Sequence, residues 1–151
     1  MKRCLLWFRR DLRLDDNSAL AAAIASGTEI LPVYIHGTNQ VSELSEGGAS
    51  QWWLHHALKD LDDTLQELGA QLHLIKAHQV AETVFDLVRK YEIEAVFWNR
   101  RYQPAAIELD AEIKKQLRHE GVEVQSYNSS VMNEPHAILN LSGRPYQVFT
   151  P

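Results

Sequence analysis

The stretch Leu5-Leu6-Trp7-Phe8-Arg9-Arg10-Asp11-Leu12-Arg13-Leu14-Asp15-Asp16-Asn17 decides the fold. An apolar, strand-like run stops in a knot of alternating charges, and the charges lead straight into a helix start. A buried parallel strand reads as a near-continuous apolar run. Asp16, Asn17 and Ser18 are the residue types that cap a helix N-terminus. The stretch therefore predicts a strand that feeds a helix, with guanidinium and carboxylate groups at the strand's carboxyl end. Open α/β sheets hold their ligands at that end.

Moving outward, the same unit repeats. Strands are expected over 3–8, 29–36, 71–76, 94–98 and 122–127, with helical stretches between them. The first helix has an alanine-rich body and Gly27 as its stop. In the second, Leu54, Leu58, Leu61, Leu65 and Leu68 recur at helical spacing, and Gly69 follows as terminator. The third places Val80, Val84, Leu87, Val88 and Tyr91 on one face. The fourth starts at Pro104, carries Ala106, Leu109, Ile113 and Leu117 as its stripe, and ends in Lys114, Lys115, Arg118 and His119, which suit the negative end of the helix dipole. Strand–helix alternation of this kind predicts a parallel sheet covered by helices on both faces, with right-handed crossovers. After about Asn133 the text turns irregular, so the domain is expected over 1–132, with 133–151 as an exit segment toward further chain.

The 151 residues suffice for one domain with a sizeable core. A net charge of −5 argues against broad attraction to nucleic-acid phosphates, so any contact with nucleic acid needs a local basic patch or lies outside this chain. No run approaches the length of a membrane helix, and no export signal is visible at the N-terminus. The single cysteine, Cys4, rules out an internal disulfide and reads as a small buried hydrophobe. These features point to a cytoplasmic protein without a membrane partner; the oligomeric state is open.

The carboxyl ends of the five strands collect Arg9, Arg10 and Asp11; His36 and Gly37; Lys76 and His78; Asn99, Arg100, Arg101 and Tyr102; Asn128 and Ser129. Several arginines in an acidic chain suit a planar, anionic ligand, because guanidinium pairs with carboxylate or phosphate and stacks on rings. The plainer reading ties Arg9, Arg10 and Arg13 to Asp11, Asp15 and Asp16 as a salt-bridge network. Trp52 and Trp53, being adjacent, point about 100° apart on a helix; one is expected in the leucine stripe. The other would stand at a rim beside Gln51 and the Glu46-Gly47-Gly48 loop, where it could stack on a flat chromophore. His55 and His56 lack the cysteine or carboxylate partners of a metal site. No Gly-x-Gly-x-x-Gly or Gly-x-x-x-x-Gly-Lys-Ser/Thr motif follows a strand. The Ser45-Glu46-Gly47-Gly48-Ala49-Ser50 loop only distantly resembles that of ATP pyrophosphatases, and no nucleophile set stands out, so no catalytic residue is assigned.

The wording Trp7-Phe8-Arg9-x-Asp11-Leu12-Arg13-Leu14-x-Asp16-Asn17 resembles the opening of DNA photolyases and cryptochromes. The run from Gly143 to Pro151 resembles the close of their first domain. Trp52-Trp53-Leu54-His55-His56 and Asn99-Arg100-Arg101-Tyr102 resemble their second helix and the loop after their fourth strand. The resemblance implies a Rossmann-like sheet of order 3-2-1-4-5, and a parent protein whose helical C-terminal domain holds FAD and meets damaged DNA. It implies light-driven repair of pyrimidine dimers, or alternatively a cryptochrome photoreceptor; a stand-alone nucleotide-binding module is a third reading. It also implies an antenna chromophore, methenyltetrahydrofolate first and flavin or deazaflavin second. The residues expected to hold it are Arg9, Arg10, Asp11, His36, Gln51, Trp52, Asn99, Arg101 and Tyr102. The chain departs from the family's patterns at Gln51, where many members have arginine, and at Ala105-Ala106, where the folate-binding branch has Asn-Glu.

Overall fold

In the computed structural model, which describes residues 2–37 and 47–146, five strands and four main helices alternate along the chain. They are β1 (Arg3–Phe8), α1 (Ser18–Ala25), β2 (Glu29–Gly37), α2 (Gly48–Glu67), β3 (His73–Ala77), α3 (Val80–Lys90), β4 (Ile93–Asn99), α4 (Pro104–His119) and β5 (Glu123–Tyr127), followed by a 3₁₀ turn at Pro135–Ala137. All strand pairs are parallel and their order is β3-β2-β1-β4-β5. The doubly wound sheet expected from the alternation is therefore present, and the strand order is that implied by the family resemblance. Residues 45–46 of the Gly-Gly loop and 147–151 of the closing segment lie outside the described residues.

β1 shows why the chain folds this way. Its side chains alternate across the sheet, and both sets are buried because helices cover both faces. Leu5 and Trp7 join Val33, Ile35, Val84, Val96, Trp98, Ile113 and Leu117 on the side of α3 and α4. Cys4, Leu6 and Phe8 join Ala19, Ala23, Tyr34, Leu61, Leu65 and Phe97 on the side of α1 and α2. Chain order reverses between β1 and β4, so the loops after these two strands diverge to opposite faces and leave a crevice between them.

Local chemistry sets the element ends. Asn17 caps α1, its side-chain oxygen accepting from the Leu20 N–H at 3.1 Å. α2 ends in a Schellman arrangement: the Ala70 N–H reaches the Leu65 carbonyl at 2.9 Å and the Gly69 N–H reaches that of Gln66 at 3.0 Å. Gly69 adopts φ +79°, where a side chain would be strained.

Two expectations about α2 fail. Leu68 is not part of the stripe; it is the C-cap, 71% exposed, because the helix has ended before its turn toward the sheet. Neither Trp52 nor Trp53 joins the core either, being 62% and 70% exposed. Burial in α2 is confined to Leu61 and Leu65, with Leu54 and Leu58 half-buried, so the first turns of the helix have no core beneath them. Among the described residues no helix is long and apolar enough to cross a membrane.

Ile113 is fully buried between α4 and the sheet. Ile113→Ala should lower the unfolding free energy by about 2–5 kcal/mol in urea titration, whereas Leu68→Ala should stay within about 0.5 kcal/mol.

Candidate functional site

The loop after β1 holds itself in place. The Arg9 N–H donates to Asp11 Oδ1 at 2.8 Å, so the carboxylate folds back on its own chain. Its second oxygen accepts from Asn99 Nδ2 at 2.5 Å, which crosses the crevice from the end of β4. The same Asn99 amide donates to the Asn17 side chain at 2.7 Å, and Asn99 Oδ1 accepts the Ala19 N–H at 3.1 Å. One buried amide thereby ties β4 to the β1–α1 loop, to the α1 cap and to the first turn of α1. Arg13 closes the outer side: it donates to the carbonyls of Asp15 and Asp16 and to both the carbonyl and the hydroxyl of Ser129 beyond β5.

Arg9 does something the sequence did not reveal. Its side chain is only 6% exposed and forks onto Asp110 of α4, with Nη1–Oδ1 at 2.7 Å and Nη2–Oδ2 at 3.1 Å. Nε and Nη2 also donate to the Asn99 carbonyl at 3.2 and 2.5 Å. The guanidinium lies 4.9 Å from the centre of the Trp7 ring, and Trp98 Nε1 completes the shell of Asp110 at 2.9 Å. Arg9 is thus turned into the core with its donors engaged, and it is not among the residues lining the crevice. Neither limb of the plainer salt-bridge reading describes it: its partner is Asp110, 101 residues away, not Asp11, Asp15 or Asp16. The one sequence signal was an acid at an interior position of α4, between Ala106 and Ile113 in the buried row.

Above this floor the crevice opens as a cavity of about 400 Å³ at the junction of β1 and β4. Arg10, Asp11 and Arg13 line it from one side and Asn99, Arg100, Arg101 and Tyr102 from the other, with Ser129 and Ser130 at the rim. Cations dominate its wall. Burial, and then the charges of Arg10 and Arg9, lower the pKa of Arg101 from its ordinary value. That is the signature of a half-buried cation in a positive field. Arg100 pairs with Glu134 at 3.1 Å, yet its buried Nε has no hydrogen-bond partner among the described residues. The Tyr102 hydroxyl donates to the same Glu134 at 2.9 Å, and burial followed by that carboxylate raises its pKa. The arrangement suits an anionic group that would accept from several guanidinium donors at once.

The remaining expected site residues stand elsewhere. His36 and Gln51 line a second cavity, also about 400 Å³, with Leu54, His55, Leu58 and Lys76 between α2 and the ends of β2 and β3. Trp52 lines neither; its ring packs on His56 with centroids 4.3 Å apart. So the expected residues do not form one site. Arg10, Asp11, Asn99, Arg101 and Tyr102 share the cationic crevice, His36 and Gln51 share the α2 cavity, Trp52 is on the surface, and Arg9 is beneath the floor. No group of three or more His, Cys, Asp or Glu side chains able to hold a metal ion occurs among the described residues.

Two measurements follow from this geometry. Asp110→Asn leaves Arg9 buried without its counter-charge and should destabilise the chain by about 3–5 kcal/mol in urea titration. For Tyr102 the sign runs the other way with pH. Its phenol holds its proton more tightly in the folded state, so stability is lost once pH climbs past the ordinary tyrosine value of 10.0. Between about pH 9 and about pH 11, Tyr102→Phe should lose less stability than the parent chain by thermal unfolding.

A family model described as DNA photolyase matches residues 4–151. The deoxyribodipyrimidine photo-lyase of Agrobacterium fabrum is 40% identical over 148 residues, which cover 97% of this chain and 30% of that protein. Cryptochrome-2 of Arabidopsis thaliana is 37% identical over 98% of this chain and 24% of its own length. Among solved structures, a bacterial class III photolyase from Agrobacterium tumefaciens superposes with a TM-score of 0.88 at 37% identity, covering 99% of this chain and 30% of that one. An archaeal photolyase from Sulfolobus tokodaii, solved with two FAD molecules, gives 0.73 at 30% identity over 83% of this chain and 29% of that one. The chain spans less than a third of the length of each of these relatives.

Proposed function

The chain belongs to the DNA photolyase family, and from that premise we propose that it is the N-terminal α/β domain of a light-driven deoxyribodipyrimidine photolyase. The observation that carries this reading is the 40% identity to a deoxyribodipyrimidine photo-lyase across 97% of the chain. In the proposed parent, reduced FAD donates an electron to a cyclobutane pyrimidine dimer, the ring opens, and the electron returns. Residues 1–132 form the α/β domain and 133–151 lead out of it. Flavin and damaged DNA meet in a C-terminal helical domain, so the residues of this chain alone are inactive in repair. A cytoplasmic setting accords with the lone, buried Cys4.

This domain's part is to hold an antenna chromophore. The cationic crevice supports that role. Arg10, Arg13, Arg100 and Arg101 gather around a space of about 400 Å³, within the usual size of a small-molecule site. The orphaned Arg100 Nε is a donor suited to an anionic ligand group. Methenyltetrahydrofolate, with carboxylates on its tail and a flat pterin, is our first choice, with flavin or deazaflavin second; His36 and Gln51 line a separate cavity and Trp52 stands on the surface. When bound, the chromophore would supply near-UV or blue absorption. Arg101 and Arg100 would pair with its anionic end, while Asn99 and Asp11 keep the two loops at a fixed separation.

The test uses the full-length protein. It should co-purify with an absorption band beyond that of FAD, and Trp52→Ala combined with Arg101→Ala should abolish that band while FAD is retained. A band that survives this pair unchanged places the chromophore elsewhere. Irradiation with dimer-containing DNA should restore intact pyrimidines. Cryptochrome-2's 37% identity makes a photoreceptor the second reading, and a flavin-loaded full-length protein that responds to blue light but leaves dimers intact would establish it.

A further inference from the structure

One half-buried cation of α4 does not line the crevice. Lys114 follows Asp110 by one helical turn, the spacing at which an acid and a lysine ordinarily pair. Here the acid is already engaged. Arg9 Nη1 donates to one oxygen of Asp110, and Arg9 Nη2 and Trp98 Nε1 donate to the other. Lys114 accordingly forms no ion pair among the described residues. Its Nζ donates instead to the Ser126 hydroxyl of β5 at 2.7 Å and stands over the Trp98 ring, 5.6 Å from its centre. The next turn of α4 adds a like charge, Arg118, at the spacing that repels.

These surroundings favour a neutral amine. Burial is the largest cause holding Lys114 below the usual lysine value; Asp110 opposes it, while Arg100, Arg118 and Arg9 add to it. Ser126 suits either state, because a hydroxyl accepts from an ammonium and can donate to an amine. Other lysines of the chain are placed differently. Lys2 and Lys59 are paired with Glu94 and Asp63, and Lys115, the next residue along α4, is exposed.

We propose that Lys114 is a modification site, a nucleophilic amine that a small acyl phosphate acylates in preference to the other lysines of this chain. The step balances without a further reagent. The ammonium releases a proton to solvent, and the Nζ lone pair attacks the carbonyl carbon of the donor. The N–C bond forms, the C–O bond to phosphate breaks, phosphate leaves with the electron pair, and the nitrogen gives up a second proton. The product is a neutral amide, which removes one cation from the group that includes Arg100 and Arg118. Partial burial selects a small donor over a bulky one. The reaction needs neither chromophore nor repair activity, so it stands apart from both readings.

The full-length protein, treated with acetyl phosphate and read by peptide mass spectrometry, gives a rate for each lysine. At about pH 8, Lys114 should react at least about fivefold faster than Lys115. That advantage exists only while ordinary lysines are protonated, so it should shrink as pH rises past their value of 10.5. In guanidinium chloride, which takes Ser126, Trp98 and the arginines away from Nζ, the two rates should agree within about twofold. All three measurements use the wild-type chain, so no variant has to fold. Lys114 reacting no faster than Lys115 in the folded protein would overturn the proposal. An advantage that persists in guanidinium chloride would overturn it too, by placing the cause in the local sequence and not in the fold.

Discussion

Arg9 and Asp110 form a buried ion pair on which the site's architecture depends. A pair this deep has little net value for stability against an apolar substitute, since two charges must first be stripped of water. What it supplies is position. The guanidinium has a fixed fork of five donors, and here the fork is divided between the carboxylate of α4 and the carbonyl of Asn99 at the end of β4. Because Arg9 itself ends the β1 run, three elements are clamped at one point directly beneath the crevice. Trp7 below the guanidinium and Trp98 bonded to Asp110 wall the pair off from solvent, their rings 5.8 Å apart and edge to face.

The crevice above inherits its electrostatics from this clamp. Arg9 is neutralised by Asp110, but it still adds to the field felt by Arg101, which is already lowered by burial and by Arg10. Asp11, which lines the same crevice, has one oxygen turned to a backbone N–H and the other to the Asn99 amide. An acidic protein of net charge −5 thus carries a compact positive site at its sheet switch point. Field lines concentrate in such a cleft, which favours anionic ligands over the bulk of the surface.

The fold and the loops do different jobs here. The two-faced core gives β1 and β4 a rigid, parallel register, with Trp7 opposite Trp98. The chain-order reversal then sends their loops apart, and Asn99 bridges the gap so that it stays open at a set width. Further out, Arg13 and Glu134 stitch the segment after β5 to the same rim.

Much of this was legible along the chain. The apolar run of β1, the helical stripe of α4, Asn17 as a cap and Gly69 as a stop are local, periodic features, and strand ends fell within a residue or two because hydrophobic pattern decides burial. Five of the expected site residues, Arg10, Asp11, Asn99, Arg101 and Tyr102, came together because a parallel sheet brings its strand ends to one edge whatever the side chains. What the sequence could not determine was which way each polar side chain turns. Arg9 and Arg10 are neighbours of identical type, yet alternation across the strand end sends one into the core and the other to the crevice, and only the presence of Asp110 on a distant helix makes the inward turn affordable. Trp52 and Trp53 failed for a related reason: periodicity says which residues share a helix face, but whether a core lies under that stretch of helix depends on how far the sheet extends, and that is a tertiary fact.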